Sequence, residues 1–287
     1  MLEHMSIRGM MPNRQPLKER RTEMPAPIRR TWPHPEIEAD MARLRERAPL
    51  VHCLTNFVAA GFTANVLLAV GASPAMVIAE QEVADFATRA DAVLINLGTI
   101  TAASAEAMER AAAAASRAAT PWVLDPVAVG VLAFRSGVAA SLLRHRPAVI
   151  RGNASEILAL SGLEGGGKGV DSTAASSAAV DAARALAGRT GAVVAVSGAT
   201  DYVTGGADLV EIAGGHPIMT RVVGTGCSLG ALIAAFLAAG VPPLRAATAA
   251  SAVFARAAEC AVPQSRGPGS FAVAFLDELS SIANGAD

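Results

Sequence analysis

The sequence predicts an α/β fold, a three-layer sandwich whose mostly parallel central sheet has helices on both faces and a short antiparallel edge. Two observations lead to this prediction. Short, continuously apolar strand segments alternate with helical segments, the pattern of a parallel sheet covered on both faces. Near residue 200 the pattern changes to several short strand segments with turn residues between them, which is typical of an antiparallel edge.

The first half of the chain contains the clearest alternation. Apolar residues 37, 41 and 44 have the spacing of an amphipathic helix after two prolines. A buried strand over 50–54 and a turn at Thr55-Asn56 precede a helix over 58–70. Further strands are predicted over 75–78, 92–96 and from 122, with helices over 82–89 and 102–119 between them.

The second half begins with a helix over 174–189 and a β-branched strand over 192–197. Short strands at 202–204, 209–212 and 217–219 then form the predicted edge. Residues 229–239 and 244–262 are apolar nearly all round, which indicates two buried helices separated by Pro242-Pro243. A turn at 267–271 leads into a last amphipathic helix that ends at Ile282.

The composition fits a large core of small aliphatic side chains, because 52% of the 287 residues are hydrophobic and only 4% are aromatic. We expect one domain over residues 32–287. The formal net charge of −1 gives no support to a nucleic-acid or membrane-surface partner, since both normally require a concentrated basic face. The longest apolar run, 229–241, is too short for a membrane helix, which needs roughly 18 residues.

Residues 1–31 carry seven basic side chains against three acidic ones and have no apolar stretch suited to a secretory signal. We therefore expect a disordered basic arm, with a transit peptide as the alternative. The three cysteines are too scattered for a disulfide framework or a zinc site, and they suit a reducing cytoplasm. They are Cys53, Cys227 and Cys260.

The stretch from Val222 to Ser228 predicts an anion site at the start of a helix. Gly224 and Gly226 can take backbone angles that other residues resist, so that several amides point to one place. The first amides of a helix have no intrahelical partner and carry partial positive charge. A tight turn before a buried helix is the alternative. The glycine-rich segment 162–170 does not have the Walker A spacing.

Polar residues follow the predicted parallel strands, where ligands of such sheets bind. Each also has a structural alternative: Asn56 as a helix cap, Asp125-Pro126 as a turn, and Asn153 with Glu156 as a capping box. Together with the anion site they favour Mg²⁺ held by Asp125 and Glu156, with Arg151 on phosphate. The set comprises Asn56, Asn96, Asp125, Arg151, Asn153 and Ser197.

The order of motifs resembles the hydroxyethylthiazole kinase family of the ribokinase-like superfamily. The resemblance spans about residues 36–282. Seven blocks carry it: Leu50-Val51-His52-Cys53-Leu54-Thr55-Asn56, Gly71-Ala72-Ser73-Pro74-Ala75-Met76, Asn96-Leu97-Gly98-Thr99, Leu124-Asp125-Pro126-Val127, Arg151-Gly152-Asn153-Ala154-Ser155-Glu156-Ile157, Gly224-Thr225-Gly226-Cys227 and Gly267-Pro268-Gly269-Ser270-Phe271.

This resemblance implies phosphorylation of 4-methyl-5-(2-hydroxyethyl)thiazole by ATP and Mg²⁺, a step toward thiamine, in a homotrimer with substrate sites between subunits. The predicted catalytic residues are Gly224, Thr225, Gly226 and Cys227. The implied substrate-binding residues are Met76, Asn56 and Gly224, and ATP is expected at Arg151, Ser197 and Gly226.

Two departures from the family pattern accompany the resemblance. Many relatives have Thr where this chain has Ser197, and Ala128-Val129-Gly130 replaces the usual Gly-Ala-Gly, which restricts that loop. Cys227 occupies the place of the superfamily's Asp base; we expect the helix end to favour its thiolate, and a small buried hydrophobe is the alternative.

Three alternatives stay open at this stage. Another ribokinase-like alcohol kinase, such as a hydroxymethylpyrimidine kinase, is expected to have Asp at position 227. A dehydratase of related fold would release phosphate without phosphorylating its substrate. A non-catalytic protein would bind the thiazole or the nucleotide and not turn over.

Overall fold

The computed structural model describes residues 26–162 and 172–285, and these residues form one nine-stranded sheet. The strand order is β1-β9-β8-β7-β6-β5-β4-β2-β3. The strands from β2 to β7 run parallel, and β8 runs antiparallel to both β7 and β9. The strands are β1 Ile28–Arg29, β2 Leu50–Leu54, β3 Ser73–Ala75, β4 Ala92–Asn96, β5 Trp122–Asp125, β6 Val149–Asn153, β7 Val193–Ser197, β8 Thr200–Thr204 and β9 Leu209–Ala213.

Helices cover both faces of the sheet, as the alternating pattern predicted. One face packs on α1 Pro35–Arg47, α2 Ala60–Ala69, α8 Thr225–Ala238, α9 Pro243–Ala261 and α10 Pro268–Ala283. The other face packs on α3 Val83–Arg89, α4 Ala102–Ala118, α5 Ala133–Leu142, α6 Ala154–Ser161 and α7 Ser172–Thr190. The predicted three-layer α/β class is confirmed.

Three local predictions need correction. Residues 217–219 were expected as a strand, but Pro217–Arg221 forms a 3₁₀ turn, and the amide of Ile218 donates to Nδ1 of the capping residue His216. The strand expected at 75–78 lies at Ser73–Ala75, so that Met76 follows it. The helix expected from residue 58 begins at Ala60, and its N-cap is Ala59 rather than Asn56.

Residues 28 and 29, inside the predicted basic arm, form β1 and pair with β9; Arg29 also forms an ion pair with Glu211. Residues 1–25 of that arm and residues 163–170 of the predicted glycine-rich segment lie outside the described residues. The domain boundary at residues 31 and 32 stays a prediction. Of the helices in the described ranges, none is both long and apolar enough to cross a membrane.

Candidate active site

The carboxyl ends of the parallel strands bring the predicted polar residues to one edge of the sheet. Register places Asn96 of β4 beside Asp125 of β5, and Asn153 of β6 beside Ser197 of β7. Arg151 and Asn153 were expected just after a strand and instead lie within β6. The strand ends therefore form a continuous polar edge next to α8.

Helix α8 begins in the predicted anion-binding turn. Gly224 is its N-cap with φ of +91°, and a Cβ there would lie 3.3 Å from Cβ of Phe62. The helix makes its first i→i−4 bond from Ser228 N to Gly224 O at 2.8 Å. The amides of Thr225, Gly226 and Cys227 precede that bond, so they are the ones that a helix leaves for an anion.

Within this turn, Thr225 has a structural role and Gly226 lies next to the candidate site. The Thr225 hydroxyl donates to Met219 O at 2.8 Å and to Val222 O at 3.0 Å, which ties the 3₁₀ turn to α8. Gly226 was expected to need unusual backbone angles, but only Gly224 of the pair has positive φ. The missing side chain of Gly226 instead leaves room for a neighbouring guanidinium.

That guanidinium belongs to Arg151. A Cβ on Gly226 would lie 3.4 Å from Nη2 of Arg151 and 3.5 Å from Nη1. Arg151 Nε donates to Ser197 Oγ at 3.1 Å, and Nη1 lies 3.7 Å from Oδ2 of Asp125. The hydroxyl and the carboxylate thus hold a nearly buried positive charge against the start of α8.

Asp125 is fully buried at the end of β5. Its Oδ2 accepts a hydrogen bond from Asn96 Nδ2 at 2.6 Å, whereas Oδ1 is buried without a hydrogen-bond partner. Burial raises the pKa of Asp125 to about 7; Glu156 adds to the rise, and Arg151 and the Asn96 hydrogen bond oppose it. A buried carboxylate oxygen without a hydrogen-bond partner fits the role of a cation ligand.

Cys227 joins this group through Asn56, whose Nδ2 donates to Sγ at 3.3 Å and to Asn96 Oδ1 at 2.9 Å. Burial, followed by the charge of Asp125, raises the pKa of the Cys227 thiol, and the nearby side-chain amides of Asn96 and Asn56 oppose the rise. The expectation that the helix end favours the thiolate is therefore wrong, because desolvation and a neighbouring carboxylate disfavour negative charge.

Glu156 forms the capping box that the sequence offered as its structural role. Its Oε2 accepts from Asn153 N at 2.8 Å, while the Asn153 side chain accepts from Glu156 N. Its Oε1 accepts from Ala128 N at 2.9 Å. Both oxygens therefore have an amide donor, and the part of Glu156 in metal binding stays a prediction. Within the described ranges, no group of three or more His, Cys, Asp or Glu forms a metal cluster.

A cavity of about 530 Å³ extends from Arg151 and Gly226 toward β9 and α9. Ser197, Thr225 and Asn153 line the near end. The far end is lined by Gly214, Gly215, His216, Pro217, Phe254 and Ala255. Positive charge and helix amides lie at one end of this cavity, and mostly small or apolar groups, with His216 among them, lie at the other, an arrangement that suits a nucleotide.

Met76 is half-buried directly after β3 and packs against the core cluster on the α8 side of the sheet. It is not among the residues that line the 530 Å³ cavity. Two residues important for the site's geometry received no role from the sequence. Asn96 was predicted only as one of the polar strand-end residues and as part of a motif, and Gly98 only as part of that motif. A Cβ on Gly98 would lie 2.8 Å from Asn56 Cβ, a contact that no local pattern reveals.

Similarity to solved structures identifies the class of this fold. A ribokinase-like superfamily protein from Enterococcus faecalis V583 matches with a TM-score of 0.60 at 13% identity, over 85% of this chain and 89% of that one. A hydroxyethylthiazole kinase from Pyrococcus horikoshii OT3 matches with a TM-score of 0.78 at 41% identity, over 85% of this chain and 92% of that one. Fold and site thus define a ribokinase-like kinase.

The chain belongs to the hydroxyethylthiazole kinase family, whose model matches residues 41–285. A hydroxyethylthiazole kinase from Leptospira borgpetersenii serovar Hardjo-bovis is 58% identical over 256 residues, which are 89% of this chain and 97% of that protein. A hydroxyethylthiazole kinase from Serratia proteamaculans is 53% identical over 251 residues, which are 88% of this chain and 95% of that protein. The family expected from the motifs is confirmed.

Proposed function

We propose that this chain transfers the γ-phosphoryl group of ATP to the hydroxyl of 4-methyl-5-(2-hydroxyethyl)thiazole, a step toward thiamine. The observation that carries the proposal is the position of Arg151 against Gly226 at the start of α8, facing the 530 Å³ cavity. Fixed positive charge and free helix amides meet there, as phosphoryl transfer requires.

In the proposed reaction, the substrate oxygen forms a bond to the γ-phosphorus while the bond from that phosphorus to the β–γ bridging oxygen breaks. ADP leaves, and the hydroxyl proton passes late to the transferred phosphoryl group. Arg151 and Ser197 bind the phosphates of ATP. The amides of residues 224–227 stabilise the negative charge of the group in transit.

We assign Mg²⁺ to Asp125, with Glu156 as a second carboxylate nearby. The support is the unpartnered Oδ1 of Asp125, since oxygen is the ligand that Mg²⁺ prefers. When bound, the ion would neutralise charge on the phosphates. The chain's own part is to keep that oxygen buried and free of hydrogen bonds.

The thiazole alcohol is assigned to the Cys227 side, with Met76, Asn56 and Gly224 as contacts. We further propose a homotrimer, supported by exposed apolar side chains on loops around this edge of the sheet, namely Phe57, Val58, Ile78 and Val223. A cytoplasmic location is proposed from the three free cysteines.

The decisive test is direct. The protein is incubated with ATP, Mg²⁺ and each of three alcohols, namely the hydroxyethylthiazole, hydroxymethylpyrimidine and pyridoxal, and the products are identified by mass. We expect phosphorylated thiazole alcohol as the main product. Phosphorylated pyrimidine alone, or ATP hydrolysis without a phosphorylated alcohol, would overturn the proposal.

A further inference from the structure

Asn96 lies at the centre of the site without touching the 530 Å³ cavity. It ends β4, is fully buried and takes part in three side-chain hydrogen bonds. Its Oδ1 accepts from Gly98 N at 3.0 Å and from Asn56 Nδ2 at 2.9 Å. Its Nδ2 donates to Asp125 Oδ2 at 2.6 Å.

The backbone fixes the orientation of this amide. The N–H of Gly98 can only donate, so the Asn96 atom that it meets must be the oxygen. The NH₂ group must then face Asp125. The same reasoning holds for Asn56, whose Oδ1 accepts from Ala59 N at 2.9 Å, so that its NH₂ group faces Cys227 and Asn96.

This orientation distinguishes the two oxygens of Asp125. Oδ2 receives the hydrogen bond of Asn96 and faces Arg151 at 3.7 Å. Oδ1 is equally buried but has no hydrogen-bond partner. A carboxylate held in this way offers one particular oxygen to a ligand, and outer partners of metal-binding carboxylates commonly have this role.

We propose that Asn96 is a positioning residue that turns Asp125 so that Oδ1 is its cation-binding oxygen, while the same amide holds Asn56 against Cys227. The inference rests on the proposed function, because it takes Asp125 as the cation ligand. It adds one residue that links the phosphate side of the site to the side of the alcohol. Asn96 itself touches neither substrate.

The test measures Mn²⁺ affinity by electron paramagnetic resonance in the presence of a non-hydrolysable ATP analogue, so that turnover is not needed. Asn96→Leu removes all three hydrogen bonds. Asn96→Ala removes the same three bonds with a smaller side chain and adds no charge beside Asp125, and it serves as the second variant if Asn96→Leu fails to fold. Asp125→Asn and the double variant Asn96→Leu/Asp125→Asn complete a thermodynamic cycle.

A matched control is Asp40→Asn. The Asp40 carboxylate is also buried and accepts two hydrogen bonds from Arg245, at 3.1 Å and 2.7 Å, on the α1–α9 side of the core. Removal of its negative charge should lower thermal stability and leave Mn²⁺ affinity unchanged. The Asp40→Asn variant therefore shows how far a loss of stability alone changes the measured Mn²⁺ affinity.

We expect both Asn96 variants to weaken Mn²⁺ binding about 10- to 100-fold, and the double variant to bind no more weakly than Asp125→Asn alone. Wild-type or tighter affinity in the Asn96 variants, or losses that simply add in the double variant, would overturn the inference. Wild-type affinity in Asp125→Asn would overturn it together with the proposed Mg²⁺ site. Normal Mn²⁺ binding by a wild-type protein that phosphorylates no alcohol would overturn only the proposed function.

Discussion

The guanidinium of Arg151 lies against the backbone of Gly226, where a Cβ would come within 3.4 Å of Nη2. Two sources of positive potential therefore meet at one point, because Arg151 adds its charge to the free amides of α8. A single Cβ at residue 226 would just touch the guanidinium, and a larger side chain would crowd it. The first and the last predictions below test the two partners of this contact separately.

Arg151→Ala should raise the KM for ATP roughly 10- to 100-fold, because a hydrogen bond to a charged group contributes about 1.5–3 kcal/mol. Thermal unfolding should change little, because Asp125 can bind a proton once its positive neighbour is removed. Arg151→Lys should restore only part of the affinity, since lysine lacks the planar fork. Steady-state kinetics and calorimetry measure both effects.

The control is Arg89→Ala, which breaks an exposed ion pair with Asp85 far from the cavity. It should leave both the KM and the melting temperature unchanged. If Arg151→Ala instead lost stability and activity in parallel, Arg151 would have a structural role and no special role in binding ATP.

Asp125 should make the stability of the metal-free protein depend on pH. Its pKa is raised from an ordinary 3.8 to about 7, so the fold favours the protonated form. The stability from this group is fully present below pH 3.8 and is lost as pH rises through about 7. Between pH 5.5 and 7 the loss should be roughly 1–2 kcal/mol, which shifts the melting temperature by a few degrees.

Melting curves of wild type and Asp125→Asn without metal, recorded over that range, check this prediction. The variant should lack the pH-dependent loss and melt higher than wild type above pH 7. Because only the carboxylate form binds a cation, Mn²⁺ affinity of the wild type should rise over the same range. Parallel melting curves for the two proteins would contradict the assignment.

Ala128→Gly should stabilise the protein by roughly 0.5–1 kcal/mol. Ala128 has φ of +58° and donates its N–H to Glu156, and a residue with a Cβ is strained in this left-handed conformation. Glycine keeps the hydrogen bond and removes the strain, although it also gains entropy in the unfolded chain. Chemical denaturation measures the difference.

Ala119→Gly is the matched control, because Ala119 has φ of +57° at the end of α4, on the helical layer opposite α8. It should give a similar gain in stability and no change in kinetics. If Ala128→Gly destabilised the protein while Ala119→Gly stabilised it, the Cβ of Ala128 would have a favourable contact that strain does not outweigh.

Light scattering should give a particle of about three times the 29.1 kDa chain. Phe57→Asp should reduce both this mass and the thiazole kinase activity, because Phe57 is 80% exposed on the loop that carries Asn56. Val273→Asp, at a residue 63% exposed on α10, is the control and should change neither. A fully active monomer at the assay concentration would contradict the proposed trimer.

Much of the fold follows from periodicity alone. The apolar strands at 50–54 and 92–96 and the alanine-rich helix near 102–119 have patterns that few other structures satisfy. The segment 217–219 was predicted incorrectly because a short apolar run looks like a strand, whereas His216 caps it into a 3₁₀ turn. Strand β1 has only two residues and depends entirely on its pairing with β9.

The candidate site was predictable to the extent that it uses strand ends and a glycine turn. Asp125, Arg151 and Ser197 meet as expected because the sheet is parallel. The orientation of Asn96 and the need for glycine at position 98 depend on contacts across different strands and loops. The protonation of Cys227 was predicted from the helix end alone, and burial, which the sequence does not reveal, reverses it.

The most direct test of the central claim, that charge and amides at the start of α8 drive phosphoryl transfer, is the single-turnover rate of thiazole phosphorylation in variants of residues 226 and 227. We predict measurable activity for Cys227→Ser and equal or higher activity for Cys227→Asp, because positioning matters more than a base. Gly226→Val, which forces a side chain onto Arg151, should lose 100-fold or more, typical of a lost transition-state donor. Gly188→Val, at a helical glycine with open space around it, should react normally. A dead Cys227→Asp together with a Gly226→Val near wild type would contradict the account and indicate thiol-dependent chemistry.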